Sequence, residues 1–372
     1  TLIHAPEIQS LGQGGLRLGT FYAQCWCAPS RGALLSGRFP MHSGYDGGGM
    51  PGDGQGMDLK MPLLPGELKQ AGYATACIGK WHLGHHPPFR PTNQGFDSFF
   101  GIPWSNNQQP LPLVHNDKTL RELPEEPILV GQFAQSAINW MSRRKDDPFF
   151  MYLAFSAPHE PWAVAKRFAG QSERGLYGDV IEGVDHYVGA LLDALRAQGV
   201  AEDTLVVFTS DNGPWLHPEG GSAYPFRGGK ADSWEGGVRS PCIWWWPGTL
   251  PAGKVVDEVV TALDILPTFA GLAGAPLPTV PLDGHDAWPV LTEGAPSPTE
   301  AFFYYARGRL EGVRKGKFKL MFPVELRSPP VPKALYDLEA DPGETTDVSA
   351  AHPDVVADLE AEAEAMRGKL GD

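Results

Sequence analysis

From about Gly66 onward, short apolar runs alternate with longer stretches in which apolar residues recur at helical spacing. The runs at 149–155 (FFMYLAF) and 205–209 (LVVFT) are typical of fully buried strands, whereas 132–144 and 178–198 are typical of amphipathic helices. This alternation predicts an α/β domain with a largely parallel sheet. The same reading predicts a helix at 66–71, strands at 74–79 and 242–246, and a helix at 263–272.

The pattern changes after a proline-rich stretch at 276–298. Short antiparallel strands are predicted at 302–305, 310–314 and 318–322. A final helix rich in Ala and Glu is predicted from Pro353 onward. We therefore place a boundary near 282–298, which divides the chain into a domain of residues 1–285 and a C-terminal α+β subdomain of residues 286–372.

Composition excludes several classes of protein. The 372 residues are enough for a large core, and 45 glycines with 36 prolines indicate many turns. A net charge of −14 opposes binding to nucleic acid or to an anionic membrane surface, so an anionic substrate would need a local cluster of cations. No apolar run reaches the roughly 20 residues that span a bilayer. The four cysteines, Cys25, Cys27, Cys77 and Cys242, are too few for a disulfide scaffold.

One of these cysteines, Cys27, precedes a helix-like run. Pro29 and Ser30 suit a first helical turn, which would place Cys27 beside free N–H groups that favour an anion. Taken alone, such a cysteine is more often a packed thiol than a reactive one. The motif Cys-x-Pro-Ser-Arg, followed by Leu-Ser-Gly-Arg at 35–38, resembles the signature of type I sulfatases. The resemblance implies that Cys27 is oxidised to Cα-formylglycine.

A second matching segment, Gly-Lys-Trp-His at 79–82, ends the predicted strand 74–79. The resemblance implies that Lys80 binds sulfate and that His82 transfers a proton, whereas an isolated motif would indicate a surface charge and a capping residue. His159, after the strand at 149–155, matches the family histidine that meets the leaving group. Ser105 matches a serine near the substrate sulfate.

A third matching segment begins with Ser-Asp-Asn-Gly at 210–213, at the carboxyl end of a predicted strand, where α/β sheets bind ligands. Asp211 and Asn212 offer the oxygen ligands that Ca²⁺ or Mg²⁺ takes, and an Asx turn is the alternative. The resemblance favours the metal, with modified Cys27 as a third ligand. It continues to Lys230, for which it implies a second sulfate-binding role.

Further similar segments cover nearly the whole chain. They lie at 101–105, 263–268, 273–278, 335–338 and 341–344. They are similar to the branch of the family that contains arylsulfatases and N-acetylgalactosamine-6-sulfatases. The resemblance implies an alkaline-phosphatase-like fold, in which a large mixed sheet is flanked by helices and followed by a smaller domain of antiparallel sheet and helix.

The sequence departs from the family pattern near its start. Family members open with a strand ending in an Asp pair that supplies two metal ligands, but Glu7 is the only acid here before Asp46. Two alternatives follow: the strand lies outside this sequence, or the protein has lost its metal. Asp46, Asp53 and Asp58 could substitute from a glycine-rich loop, although acids in such loops are usually solvated. His85 and His86 are interpreted as loop residues without function.

The resemblance also implies a mechanism. The aldehyde made from Cys27 would hydrate, one hydroxyl would attack sulfur with help from the metal, and loss of a proton from the other would release sulfate. Arg31 would stabilise the diol and metal site, His82 would take the proton, and His159 with Lys230 would assist the departing alcohol. An apolar wall for a sugar or aryl group could be formed by Trp104, Trp162 and Trp215.

The expected partners are a small-molecule or glycan sulfate ester and the formylglycine-generating enzyme. Two alternative functions stay open: a phosphate or phosphonate monoester hydrolase of the same superfamily, and a metal-poor pseudosulfatase that binds sulfated glycans. The resemblance favours a periplasmic, secreted or lysosomal-type location. The first residues of the sequence have no targeting pattern, but Thr1 is not an initiator Met, so they say little about the compartment.

Overall fold

The computed structural model describes residues 3–45, 47, 51–52, 54–122, 127–325 and 330–370. Its helices are α1 (Pro6–Gly14), α2 (Cys27–Ser36), α3 (Pro40–Ser43), α4 (Leu64–Gln70), α5 (Leu129–Ser142), α6 (Gly175–Gln198), α7 (Glu235–Val238), α8 (Ile265–Ala273), α9 (Trp288–Thr292) and α10 (Pro353–Leu370). Its strands are β1 (Leu16–Tyr22), β2 (Ala74–Lys80), β3 (Ser98–Ile102), β4 (Pro112–His115), β5 (Lys118–Glu122), β6 (Phe149–Ala154), β7 (Val206–Thr209), β8 (Cys242–Trp245), β9 (Val255–Thr261), β10 (Ala301–Ala306), β11 (Arg309–Lys315), β12 (Phe318–Met321) and β13 (Ala334–Asp337).

These strands form two mixed sheets and one antiparallel sheet. In the first, with the order β7-β8-β1-β9, β1 is parallel to β9 and β8 is antiparallel to both its neighbours. In the second, with the order β5-β4-β3-β2-β6, β2 is parallel to β3 and β6, while β4 is antiparallel to β3 and β5. Strands β10 to β13 form the antiparallel sheet, against which α10 packs. The predicted fold class is confirmed, although the sheets are less parallel than expected.

The longest helix ends as its sequence predicts. α6 stops at Gln198, and Gly199 takes a left-handed φ of 71°, which a glycine adopts without steric cost. The helix α8 contains Pro267, which is tolerated because it lies in the first turn, where a backbone N–H has no helical partner. The predicted strands at 149–155, 205–209 and 242–246 are present within a residue or two.

The edge strands β6 and β7 of the two mixed sheets border one cavity of about 1520 Å³. Among the described residues, β6 pairs only with β2 and β7 only with β8. Every residue of both strands lines the cavity, together with apolar side chains such as Leu192 and Phe269. The cavity reaches Asp211 and Asn212 at the carboxyl end of β7.

The C-terminal sheet packs against residues from the first part of the chain. Tyr22 of β1 stacks on Phe302 of β10 with ring centroids 4.5 Å apart, and Phe39 and Leu263 belong to the same buried cluster. This packing brings the C-terminal sheet close to the start of α2. Of the helices that the structure describes, none has the length and apolarity needed to cross a membrane.

Candidate active site

Helix α2 begins at Cys27, as the first-turn residues Pro29 and Ser30 predict. The backbone N–H of Gln24 donates to the Ser30 hydroxyl at 3.1 Å, which fixes the segment that leads into the helix. Cys27 is only 5% exposed. Its position at the first residue of the helix places it at the positive end of the helix dipole.

The surroundings of Cys27 stabilise negative charge. Burial and the Asp211 carboxylate raise the pKa of the Cys27 thiol. Lys80, a hydrogen bond between His82 and Cys27, and Lys230 outweigh these effects and lower the pKa to about 6. Because an ordinary thiol has a pKa near 8.5, this position favours an anion despite its burial.

Arg31 joins three elements of the site. Its Nε and Nη2 both donate to Asp211 Oδ2, at 2.9 and 2.6 Å, and its Nη1 donates to the carbonyl of Lys80 at 2.7 Å. Burial opposes the charged form of Asp211, but Arg31 and then Lys80 hold the pKa of its carboxyl well below the usual range. The guanidinium therefore links the start of α2 to the carboxyl ends of β2 and β7.

Lys80 ends β2, and His82 follows two residues later. The Lys80 ammonium is 1% exposed, burial lowers its pKa, and it donates to the Ser105 hydroxyl at 3.3 Å. His82 has a left-handed φ of 62° and hydrogen-bonds to Cys27. Burial and then Lys80 lower the pKa of His82 to about 4. Its Nδ1 is buried and has no hydrogen-bond partner among the described residues.

The carboxyl end of β2, just before His82, needs a glycine. Gly79 has a φ of 106°, and a Cβ at this position would lie 2.0 Å from the carbonyl oxygen of Ala154. Both the positive φ and the short distance to Ala154 exclude a side chain at this position. β2 can thus approach β6 closely, which brings the residues after each strand to one edge of the sheet.

His159, Ser105 and Lys230 form a second group. His159 Nδ1 lies 2.6 Å from the carbonyl of Glu160, so Nδ1–H donates there and Nε2 is an acceptor. The Lys230 ammonium lies 2.8 Å from Nε2, and the Ser105 hydroxyl lies 3.4 Å from it. Burial, Lys80 and Lys230 lower the pKa of His159 to about 4. His159 is therefore neutral near pH 7, and its Nε2 can accept a hydrogen bond from the Lys230 ammonium.

These side chains meet at a pocket of about 370 Å³. Its described lining includes five of the predicted site residues: Cys27, His82, Ser105, His159 and Lys230. Lys80 reaches the same place through its contact with Ser105. No acidic side chain is present in the described lining, so the pocket concentrates positive charge in an acidic protein.

Comparison with known protein families identifies the family to which this chain belongs. A family model described as Sulfatase matches residues 2–275, and one described as N-sulphoglucosamine sulphohydrolase, C-terminal, matches residues 230–369. The chain belongs to the sulfatase family. The family consists of sulfuric ester hydrolases, which confirms the enzyme class that the motifs indicated.

The proteins similar in sequence to this sulfatase are themselves named as sulfatases. It is 37% identical over 415 residues to arylsulfatase A of Homo sapiens, covering 95% of this chain and 81% of that protein. It is 36% identical over 355 residues to N-acetylgalactosamine-6-sulfatase of Canis lupus familiaris, covering 85% of this chain and 66% of that protein. Both relatives fall in the predicted branch of the family.

Solved structures agree with the sulfatase fold. Ps i-CgsB in complex with k-i-k-neocarrahexaose is 29% identical with a TM-score of 0.87, covering 98% of this chain and 87% of that chain. The PsFucS1 sulfatase from Pseudoalteromonas sp. is 25% identical with a TM-score of 0.89, covering 98% of this chain and 85% of that chain.

The predicted metal ligands of this sulfatase form only part of a cation site. Asn212 Oδ1 is buried without a hydrogen-bond partner in the described structure, as an unbound ligand oxygen would be. Asp211 lies beside it, but one of its oxygens accepts two bonds from Arg31. Ca²⁺ takes six to eight oxygen ligands, and no described group of three or more His, Cys, Asp or Glu residues could hold a metal. The described residues therefore do not complete the site.

Several other predicted residues lie elsewhere. Asp58 is exposed, and Asp46 and Asp53 are outside the described residues. The prediction that Trp104 contributes to an apolar wall for the substrate is wrong. Trp104 is buried and donates its indole N–H to the carbonyls of Gln108 and Pro110. His85 and His86 lie in a loop, where their ring centroids are 4.4 Å apart with the ring planes tilted by 35°. Neither Trp162 nor Trp215 lines the 370 Å³ pocket, where Trp26 lies instead.

Sequence reasoning missed three further lining residues, Asn107, Gln108 and Arg307. Asn107 and Gln108 lie two and three residues after Ser105, so their proximity to a matched serine was an available signal. Arg307 comes from the turn between β10 and β11, far away in the sequence.

Proposed function

We propose that this sulfatase hydrolyses sulfate monoesters through formylglycine made from Cys27. The observation that carries the proposal is the common pocket of Cys27, His82, Ser105, His159 and Lys230, which contains no described acid. When formed, the hydrated aldehyde supplies one hydroxyl that attacks sulfur and a second whose deprotonation releases sulfate. The pocket suits this group because position 27 is buried, lies at a helix start and favours negative charge.

The anionic SO₃ group is bound by cations from separate elements. Lys80 is fixed at the end of β2, where Ser105 accepts one of its hydrogen bonds, and Lys230 approaches from the segment before α7. Both ammonium groups lower the pKa of Cys27, which supports a role for each of them at the reacting position. Prepositioned donors of this kind stabilise the additional charge of the transition state.

His82 is the base that takes the proton from the second oxygen at position 27. Its pKa of about 4 keeps it neutral near pH 7, so it can accept a proton. It already hydrogen-bonds to Cys27, and its Nδ1 has no described partner that would compete.

The departing alcohol oxygen receives its proton from the pair of Lys230 and His159. The neutral His159 Nε2 accepts a hydrogen bond from the Lys230 ammonium in the resting site. Lys230 therefore carries the proton, and His159 positions it. Arg31 acts indirectly, because it holds Asp211 and the carbonyl of Lys80 in place.

We infer that Asp211 and Asn212 contribute to a Ca²⁺ or Mg²⁺ site whose remaining oxygen ligands lie outside the described residues. The cavity between β6 and β7 reaches both residues and offers two strand edges without described partners. An extended segment ending in acids, as the family resemblance implies, would fit there. Calorimetric titration with Ca²⁺ tests this: fusing a strand that ends in an Asp pair to the N-terminus should increase affinity, and equal affinity with and without this strand would refute the inference.

The substrate class is a sulfated carbohydrate or an aryl sulfate, and the maturation partner is the formylglycine-generating enzyme. The relatives named for sulfated sugar and aryl sulfate hydrolysis support this range. Membership in the same family supports a periplasmic, secreted or lysosomal-type location.

The test combines mass spectrometry with turnover. After co-expression with the maturation enzyme, the tryptic peptide of residues 18–31 should lose sulfur and gain oxygen at Cys27. Cys27→Ala should abolish hydrolysis of 4-nitrophenyl sulfate, while Cys77→Ala, in the core, should retain it. Faster turnover of 4-nitrophenyl phosphate than of the sulfate would favour the phosphohydrolase alternative. Binding of sulfated ligands without turnover, even with the fused strand and Ca²⁺, would favour the pseudosulfatase.

A further inference from the structure

Arg307 occupies a backbone position that its residue type disfavours. Strands β10 and β11 are joined by a two-residue turn, since Ala306 pairs with Arg309 across it. Both turn residues have positive φ, 53° at Arg307 and 72° at Gly308. A tight hairpin of this geometry prefers Asn-Gly or Asp-Gly, because most side chains are strained in the left-handed region. Strain of this kind persists where function requires the side chain.

The turn is fixed beside the nucleophile. The Cys25 thiol donates to the carbonyl of Tyr305 at 3.4 Å, so the end of β10 is tied to the segment that leads into Cys27. Tyr305 is 5% exposed, and its ring packs 5.7 Å from that of Phe39. Arg307 lines the same pocket as Cys27 and Lys230. The C-terminal sheet thus delivers one cation to the active site.

The Arg307 guanidinium has no counterion in the described structure. None of the ion pairs or side-chain hydrogen bonds among the described residues involves it, and the described lining of the pocket holds no carboxylate. Arg314 of the same hairpin is different, because it donates to the Tyr22 hydroxyl. Arg307 is also exposed, so its guanidinium is available to a ligand, whereas Arg314 has a structural role.

We propose that Arg307 binds a second anionic group on the substrate, next to the sulfate that is cleaved. In the proposed function Lys80, Ser105 and Lys230 bind the reacting sulfate, so a further cation in the lining of the same pocket serves another charge. The planar guanidinium suits a sulfate or carboxylate, which it can bind through two parallel hydrogen bonds. The preferred substrate class is then a sulfate ester with a neighbouring second sulfate or a carboxylate. This inference rests on the proposed sulfatase function.

The test is a chemical double-mutant cycle. The probes are 4-nitrophenyl sulfate and its derivatives with a carboxylate or a second sulfate at ring position 2 or 3. The proteins are the matured wild type, Arg307→Asn, Arg307→Lys and the control Arg309→Ala, an exposed arginine of the same hairpin. For each protein, the ratio of kcat/KM for a dianionic probe to kcat/KM for 4-nitrophenyl sulfate is measured. The effect of the substituent on the leaving group cancels between proteins.

We expect Arg307→Asn to lower this ratio about fivefold or more for at least one dianionic probe. Arg307→Lys should retain part of the preference, and Arg309→Ala should leave it unchanged. Arg307→Asn should also raise the melting temperature, because Asn suits the left-handed turn, and this would separate a binding role from a structural one.

Two results would overturn the inference. Equal losses for all probes would mean that Arg307 acts on the reacting sulfate, and ratios unchanged for every probe would mean that it binds no second anion. In both cases hydrolysis of 4-nitrophenyl sulfate by the wild type would leave the proposed function intact. If the matured wild type hydrolyses no sulfate ester at all, the proposed function fails and this inference falls with it.

Discussion

The ammonium of Lys319 lies 3.1 Å from a carboxylate oxygen of Glu235, and neither side chain is exposed to solvent. Lys319 belongs to β12, whereas Glu235 begins α7. The same ammonium lies 2.7 Å from Glu344 and donates to the carbonyl of Ser233 at 2.8 Å. Because Ser233 and Glu235 follow Lys230 closely, the C-terminal sheet anchors the segment that carries this proposed sulfate-binding cation.

Replacing this buried cation should destabilise the protein and impair its site. We expect Lys319→Met to lower the free energy of unfolding by about 3–5 kcal/mol, because two buried carboxylates lose their partner. Denaturant titration measures this loss. Lys317→Met is the matched control, since its side chain is 42% exposed and its ion pair with Asp337 should matter less. Equal stability of the two variants would contradict the assigned role of Lys319.

Most of the residues that meet at the candidate site could be identified in advance because they lie in short segments of unusual composition. Cys27 with Pro29 and Arg31, and Lys80 with His82, each combine a strand or helix end with charged or nucleophilic groups. Local chemistry of this kind is visible in the sequence. The structure brings Lys230 and His159 to within 2.8 Å of each other, a contact across 71 positions that only the family resemblance indicated.

Other parts could not be predicted because tertiary packing determines them. Strand β9 (VVDEVVT) has two acids at its centre and lacks the apolar run that marked the other strands. It forms because it pairs with β1, which itself contains Arg17 and Gly19. Arg307 was missed for the same reason, since its role depends on how the C-terminal sheet packs beside α2.

The buried imidazole of His82 should make stability depend on pH. Burial and then Lys80 lower the pKa of His82 from 6.5 to about 4, so between these values the unfolded chain binds a proton that the folded protein does not. The free energy of unfolding therefore falls as the pH falls from 6.5 to 4. We expect His82→Gln to remove part of this slope, measured by denaturant titration at several pH values.

A control is needed because other groups titrate in the same range. Burial raises the pKa of Glu344 to about 7 and that of Asp264 to about 6, which gives slopes of the opposite sign. Only the difference between wild type and variant isolates His82. His86→Gln, in the exposed loop, should leave the slope unchanged. If His82→Gln left the slope unaltered, the pKa of the His82 imidazole would not be lowered in the folded protein.

The thiol of unmodified Cys27 should react as an acidic cysteine. In protein made without the maturation enzyme, we expect alkylation by iodoacetamide with a midpoint near pH 6. Lys80→Met should raise the midpoint, because it removes a cation that stabilises the thiolate. Cys242, whose pKa burial raises to about 12, is the internal control and should stay unreactive. Mass spectrometry follows each peptide, and a midpoint above pH 8 would refute the proposed electrostatics.

Proton donation by Lys230 should depend on the leaving group. An alkoxide leaving group needs a proton as the S–O bond breaks, whereas 4-nitrophenolate departs readily without one. We therefore expect Lys230→Met to lower kcat by about 10²–10⁴-fold for an alkyl sulfate, and by much less for 4-nitrophenyl sulfate. Lys80→Met, which removes a sulfate-binding cation that does not contact His159, should lower both rates by similar factors. If Lys230→Met also reduced the two rates equally, Lys230 would bind the sulfate without delivering the proton.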